Sequence, residues 1–251
     1  MQAGQMPVVL NESDVYREFA PPAWARRAVA CFWLRRGDGS SVRVLPDACS
    51  DIVWRSGAGA VVAGPDSEAW VSRTRPGELI VGARLRPGAG GAALGVGLDE
   101  LRNTRVPIDA LGVDPRGELR GELDPDAAAA ALVAIALRRV AQAPPDPAVQ
   151  AAVVRLLAPG QRVDELASAL GFSERQLRRR FLAAVGYGPK TLQRVMRLRR
   201  FLAAARFDAG FDGLAAAAAG AGYADQAHLA RECRALTGLT PGQLVTPGPR
   251  P

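Results

Sequence analysis

Along the first 110 residues the apolar positions come in short runs cut by Gly, Pro and Asp. The runs are 29–34, 42–45, 51–54, 60–62, 70–72 and 79–85. Their β-branched and aromatic content, with turn residues at short spacing, predicts strands of a small sheet or partial barrel. Asp38-Gly39 reads as a hairpin turn. Residues 1–20 are polar and irregular, with Tyr16 and Phe19 placed to tuck onto the strand-rich region, and Pro21-Pro22 break any helix. The glycine-rich stretch 88–97 lacks the G-K-[ST] ending of a phosphate loop and reads as a flexible loop with close backbone packing. Asp99 is a candidate cap for a short helix over 99–103.

Beyond residue 124 the apolar period changes from two to 3.6. A helix is predicted over 125–142, with Leu132, Ile135, Ala136 and Arg139 spaced for one buried face and one wet edge. Another is predicted over 147–157, with Val149, Val153, Leu156 and Leu157 on one side and Pro159-Gly160 ending it. The stretch 163–185, V-D-E-L-A-S-A-L-G-F-S-E-R-Q-L-R-R-R-F-L-A-A-V, reads as two short helices joined at Gly171. Asp164 and Glu165 sit at the positive end of the first, Leu166 and Leu170 point inward, and Ala167 allows close approach. Ser173 and Gln176 form a capping box for the second. At 100° per residue Leu177, Phe181 and Ala184 make its core face, with Arg175 and Arg179 nearly opposite and Arg178 to one side.

After the break at Gly186-Tyr187-Gly188-Pro189, a long amphipathic helix is predicted over 190–205. Leu192, Val195, Met196, Leu198 and Leu202 supply its apolar contacts, and Arg194, Arg197, Arg199 and Arg200 its wet side. A turn comes next at 207–210. The plan then repeats: a short helix over 214–219, a turn at Gly222-Tyr223, and a second helix capped by Asp225, with Leu229, Cys233 and Leu236 inward and Ala227, Ala230, Arg231 and Arg234 outward. Two helix-turn-helix units joined by one long helix can enter successive major grooves about 34 Å apart.

At 251 residues the chain is long enough for two domains. The expected division is a β-rich domain over 1–124, a bridging helix and Pro-rich linker over 125–146, and a seven-helix domain over 147–246. The fold class is thus α+β in two domains, a β-rich partial barrel and an all-α double reader. The net charge of +7 is unevenly placed: residues 1–145 hold 17 basic and 17 acidic side chains, residues 146–251 hold 15 and 8. Such asymmetry points to one domain that meets a polyanion. Lys190 is the only lysine, but arginine dominates the neutral half too, which reads as a composition bias.

Three widely spaced cysteines, Cys31, Cys49 and Cys233, fit a reducing compartment and argue against a disulfide scaffold. A single histidine, His228, rules out a multi-histidine metal centre. No metal, cofactor or catalytic residue is expected. The N-terminus shows no charged-then-apolar leader, and no apolar run reaches about 18 residues. The expectation is a cytoplasmic protein without a membrane span.

Two constellations stand out in the neutral half. P-D-A-C-S-D-I-V-W at 46–54 sets Asp47 and Asp51 four apart, and G-A-R-L-R-P-G-A at 82–89 sets Arg84 and Arg86 two apart, on one side of a strand. They allow two readings. One is a polar effector pocket with Asp47 and Asp51 opposite Arg84 and Arg86, and Trp33, Trp54 and Trp70 as apolar walls. The other is structural Asp–Arg pairing with core tryptophans, the commoner arrangement. Cys49, flanked by Asp47 and Asp51, is a poor nucleophile.

The order S-E-R-Q-L-R-R-R-F, V-G-Y-G-P-K, G-Y-A-D-Q-A-H-L-A-R-E-C and G-L-T-P resembles the double helix-turn-helix domain of the AraC/XylS transcription regulators, over about residues 147–246. The resemblance implies recognition helices over about 173–185 and 225–237. Arg175, Arg178 and Arg179 match base-reading positions of the first unit; Gln226, Ala227, Ala230 and Arg231 match those of the second, and His228 matches a backbone-contacting position. With His228, Arg180, Lys190 and Arg234 are assigned to the DNA backbone, Arg180 alternatively to a salt bridge. Cys233 and Ala217 depart from the phenylalanine and leucine usual there and thin the second core. The neutral half resembles, more loosely, the small domain preceding this module in many bacterial members, which implies a cupin-like partial barrel and an effector role. The implied partners are double-stranded DNA, a small-molecule effector, and RNA polymerase if the protein activates; the oligomeric state is open. The alternative is a DNA repair or modification enzyme on the same module, which would need a reactive cysteine or clustered-cysteine zinc site.

Overall fold

The computed structural model describes residues 16–114, 116–158, 160–207 and 213–245. Residues 1–15 of the segment expected to be irregular over 1–20, Pro159, and residues 208–210 of the turn expected over 207–210 lie outside them. The N-terminal half contributes β1 (Tyr16–Phe19), β2 (Val29–Arg36), β3 (Ser41–Val44), β4 (Ser50–Arg55), β5 (Gly59–Ala63), β6 (Trp70–Arg73), β7 (Leu79–Leu85) and β8 (Arg105–Pro107). Six form an open antiparallel sheet in the order β1-β2-β7-β4-β5-β8, and β3 pairs with β6 in a separate two-stranded ribbon. Strand alternation sorts the faces. On β4, Ser50, Ile52 and Trp54 are buried while Asp51, Val53 and Arg55 look the other way.

The buried face is covered by α1 (Gly90–Leu94) and α2 (Pro125–Gln142), which pack on each other and, through α2, on β7 and β4. Leu132, Ile135 and Ala136 enter the shared core with Trp54, Ile52 and Leu85, and the Arg139 Nε donates to the Ala93 carbonyl at 2.7 Å. Asp124 caps α2 by accepting from Asp126 and Ala127 N–H.

Three local expectations change. Asp38-Gly39 is not a hairpin turn, because β2 pairs with β1 and β7 while β3 pairs with β6. Asp38 instead accepts the Ser40 N–H at 2.9 Å, and Gly39 takes φ +86, passing the chain from sheet to ribbon. The actual hairpin joins β4 to β5 through 56–58, with Gly57 and Gly59 at positive φ. The glycine stretch does contain the close backbone packing expected, but as part of α1. Residues 99–103 form turns rather than a helix, with Asn103 at φ +59.

The C-terminal half is helical: α3 (Pro147–Leu157), α4 (Val163–Ala169), α5 (Glu174–Val185), α6 (Pro189–Phe207), α7 (Leu214–Ala221), α8 (Gln226–Thr237) and α9 (Pro241–Val245). Leu166, Leu177, Phe181 and Val185 fill the first unit, and Leu229, Cys233 and Leu236 the second. The second unit is built from smaller side chains, with Ala217, Ala218 and Ala221 buried on α7, so it buries less apolar area per helix. Leu157 does not join Val149, Val153 and Leu156 in the core; it is exposed, as is Val154. On α6, Phe201 is fully buried, while Leu202 is only partly so. Its arginines are not simply wet, since Arg194 and Arg197 reach Glu232 on α8 at 2.6 and 3.3 Å. Among the described residues no single helix is long and apolar enough to cross a membrane.

The halves meet along a seam of backbone contacts. Leu98 N–H donates to the Ala183 carbonyl of α5 at 2.9 Å, and Ala69 N–H to the Leu236 carbonyl of α8 at 2.7 Å. The Arg43 Nη1 donates to the Thr237 carbonyl at 3.1 Å. Ala48 sits within the C-terminal core. Gly91 lies so close to α5 that a Cβ there would run into the Ala183 carbonyl oxygen. Gly91→Ala is therefore expected to pry α1 from α5 and to lower stability by about 1–3 kcal/mol, the usual range for overpacking. Urea unfolding of the full chain measures this; an unchanged midpoint would count against a rigid seam.

Candidate nucleic-acid interface and the cavity behind it

The first unit presents its arginines as the helical step requires. Ser173 caps α5 through a complete capping box with Gln176, and Gly171 turns the chain at φ +71. With Leu177 and Phe181 fully buried, Arg175, Arg178 and Arg179 are all exposed and have no ion-pair partner among the described residues. Of the acids on α4, Asp164 is drawn to Arg162 at 2.6 Å, which holds its carboxyl down at about 2. Arg180 takes the salt-bridge alternative: its Nη1 meets the Asp146 carboxylate at 2.7 Å and its guanidinium stacks on Phe172. Lys190, in the first turn of α6, is exposed.

On α8, Asp225 accepts the His228 N–H at 2.6 Å and caps the helix. Gln226, Ala227, Arg231 and Arg234 are exposed and Ala230 is half-buried. The His228 ring packs edge-on against Tyr223, and its Nδ1 accepts the Ala224 N–H at 3.3 Å. A neutral imidazole accepting at Nδ1 carries its proton on Nε2, which leaves a donor for an anion.

Behind this surface, between the open face of the six-stranded sheet, the β3–β6 ribbon and α6, lies a cavity of about 960 Å³. Strand register orders its floor in rows. One row is Arg84, Asp51 and Ala63; the next is Trp33, Gly82, Val53 and Val61; the third is Arg35, Ile80 and Arg55. Gly82 lets the Trp33 indole lie across the strand, since any Cβ there would enter the ring. Val42, Val44, Trp70 and Ser72 of the ribbon form the opposite wall, and Arg199, Leu202 and Ala203 of α6 close one side.

Of the sequence-derived pocket residues, the structure brings together Trp33, Asp47, Asp51 and Arg84. The Asp51 carboxylate accepts from Trp33 Nε1 at 2.8 Å and Arg84 Nε at 3.3 Å, and Arg84 also lies 3.6 Å from Asp47. Trp54 is elsewhere, in the core under α2. Arg86 is also elsewhere: β7 ends at Leu85, so the two-residue alternation stops, and Arg86 donates instead to the Arg26 carbonyl at 2.8 Å. Sequence reasoning missed Arg35, Arg55 and Arg199. Alternation from Trp33 and from Asp51 places Arg35 and Arg55 on the cavity face, a usable signal. Arg199, 3.8 Å from Asp47, has none, because only the packing of α6 brings it there.

The charges are unequally satisfied. Arg55 pairs with Glu78 at 2.7 Å and Arg105 with Asp66 at 2.6 Å. Arg35 has no carboxylate partner among the described residues, and its buried Nε has no acceptor. Burial pushes the Asp51 carboxyl up to about 6; Arg84 pulls it down and Asp47 adds to the rise. All three thiols are buried. Burial pushes Cys31 and Cys233 up to about 11, and burial with the Asp47 and Asp51 charges raises Cys49. The thiolate that a methyl-accepting repair protein requires is disfavoured at each.

Residues 166–246 match the model of a helix-turn-helix domain, of the AraC type, covering both units. The helical half is thereby an AraC-type helix-turn-helix domain. That domain match supports a DNA-binding transcription regulator. Residues 17–107 match a domain of unknown function, DUF6597. Three crystal structures of ToxT from Vibrio cholerae, one an apo variant, align with 85–92% of the chain and 96–97% of ToxT. Their identities are 8–9% and their TM-scores 0.43–0.45. No curated protein matches the chain.

The raised Asp51 sets a pH dependence. The folded state holds this proton up to about pH 6, whereas the unfolded chain releases it near 3.8. Between those values the native state binds more protons, so this group's contribution to stability falls as pH rises. Asp51→Asn should remove that fall. Thermal melts of both proteins from pH 4 to 7 measure it, and identical slopes would refute the assignment.

Proposed function

We propose that the protein binds a two-part operator, with α5 and α8 in successive major grooves, and that a small molecule in the N-terminal cavity adjusts that binding. Arg175, Arg178 and Arg179 read bases in the first half-site, and Gln226, Ala227, Ala230 and Arg231 in the second. Lys190, His228 and Arg234 meet phosphates, and Arg180, held by Asp146, has the weaker claim to one. The observation that carries this reading is the acid-poor face of three exposed, unpaired arginines on a capped helix whose other face is fully buried. An ordinary solvated face would mix signs. The boundaries 1–124, 125–146 and 147–246 remain our division of the chain into effector domain, bridge and DNA-binding domain.

The cavity supports the regulatory part. Its floor offers an apolar strip of Trp33, Val53, Val61 and Ile80 with the unpaired Arg35 at one end. That combination suits a molecule with an apolar body and an anionic group. Its ribbon wall is the same element that holds the end of α8 through Arg43 and, just before β6, Ala69. A ligand that shifts the ribbon shifts the second reading helix.

Gel-shift titrations test the DNA contacts. Arg179→Ala should cost about 1–3 kcal/mol on the cognate site and relax preference at one position, whereas Lys190→Ala should weaken all sequences alike and reduce the salt slope by about 1. Indistinguishable behaviour of the two variants would remove Arg179 from base reading. A base-by-base scan of the operator should find the half-site under α5 the more sensitive, because Ala227 and Ala230 offer only methyl contacts; greater sensitivity under α8 would reverse that ranking. A thermal-shift screen of organic acids against their neutral esters should raise Tm for acids only, and only with Arg35 intact. Stabilisation by the esters alone would overturn the anionic requirement.

A further inference from the structure

A second, much smaller cavity of about 50 Å³ lies at the junction of α3, α6 and the α7–α8 turn. It is lined by Leu156, Gln193, Arg197, Arg200 and the two glycines Gly160 and Gly222. Arg194, Arg197 and Arg200 stand three apart along α6 and so share one side of the helix. Among the described residues a single carboxylate, the buried Glu232 of α8, answers them: it takes Arg194 at 2.6 Å and Arg197 at 3.3 Å and does not reach Arg200. Arg200 spends its Nε on the Met196 carbonyl of its own helix, at 3.3 Å. The buried Arg200 Nη1 and Arg197 Nε have no protein acceptor, and neither does the buried Tyr223 hydroxyl beside them. No carboxylate among the described residues lines the cavity, and the Gln193 amide is committed to the Gln161 carbonyl at 2.6 Å. Burial, and then the Arg197 charge, disfavour the cationic form of Arg200.

We infer that this cavity binds a small monovalent inorganic anion of the halide class, chloride in ordinary solution, between Arg197 and Arg200. The orphaned N–H groups alone would accept water. The charge is what selects an anion: three guanidiniums face one carboxylate in a partly buried setting, where an uncompensated cation is costly. Size sets the class. At about 50 Å³ the cavity has room for a small ion and not for a nucleotide or an aromatic acid. Gly222 keeps the space beside Arg200 open. The bound ion ties the long helix α6 to the turn of the second helix-turn-helix unit, whose small side chains give it the thinner core.

The full-length protein is melted in potassium chloride and in potassium gluconate at equal ionic strength, alongside Arg200→Gln. The chloride-minus-gluconate difference in Tm should be more positive in the parent protein than in the variant. In gluconate the variant should be at least as stable as the parent, because a like charge has been removed. An equal difference in both proteins overturns the site. Should the variant not fold, crystals of the parent protein grown in bromide decide. An anomalous peak between Arg197 and Arg200 is expected; electron density there without anomalous signal means water and refutes the inference.

Discussion

The last carbonyls of a helix have no partner within it, and this constraint joins the two halves of the molecule. In α5 and α8, the helices whose outer faces carry the exposed arginines, some of these carbonyls accept from the N-terminal half. Ala183 receives the Leu98 N–H, Leu236 the Ala69 N–H, and Thr237 the Arg43 guanidinium. Each is a hydrogen bond to the negative end of a helix dipole, and Arg43 adds a full positive charge there. The reading helices are thus fastened at their C-terminal ends to one frame, and their N-terminal turns, with Arg175 and Gln226, are left outward. Gly91 is what permits the approach at α5.

This fastening makes the N-terminal half more than an appendage. The open face of its sheet cannot pack on a second helix layer, since α1 and α2 lie on the other side. The β3–β6 ribbon and α6 cover it incompletely, and the result is the large cavity. Asp47 sits at the meeting point, reaching Arg84 on the sheet and Arg199 on α6. Its neighbour Ala48 holds φ +65, an uncommon conformation for a residue with a Cβ, as it enters the C-terminal core. Sheet, cavity and DNA-binding half therefore share one corner, at Asp47.

The second helix-turn-helix unit shows how electrostatics compensate for thin packing. Where the first unit uses Phe181 and Leu166, the second uses Cys233 and Ala217. Glu232 ties α8 back to Arg194 and Arg197, and Tyr223 lies against both Arg197 and His228. Truncating Glu232 would leave guanidiniums unanswered, a larger loss than the pair itself contributes.

The sequence by itself determined most of the local elements and carried the family resemblance. Periodicity placed α2 and α3 at their observed bounds, capping residues placed α5 and α8, and the motif order carried the AraC/XylS resemblance. These signals are local, set by side chains within one or two turns. The short edge strands β1 and β8 escaped notice, because three or four residues carry too little alternation. Only tertiary structure decided that Trp54 belongs to the core and Trp33 to the cavity, since a strand's alternation says which residues share a face but not which face is covered. It alone turned Arg86 away, by ending β7 one residue earlier. It also gave Arg194, Arg197 and Arg199, on the polar side of α6, partners distant in sequence. A helix's polar side is legible in its own residues; whether that side meets water, a carboxylate or another domain depends on what packs against it.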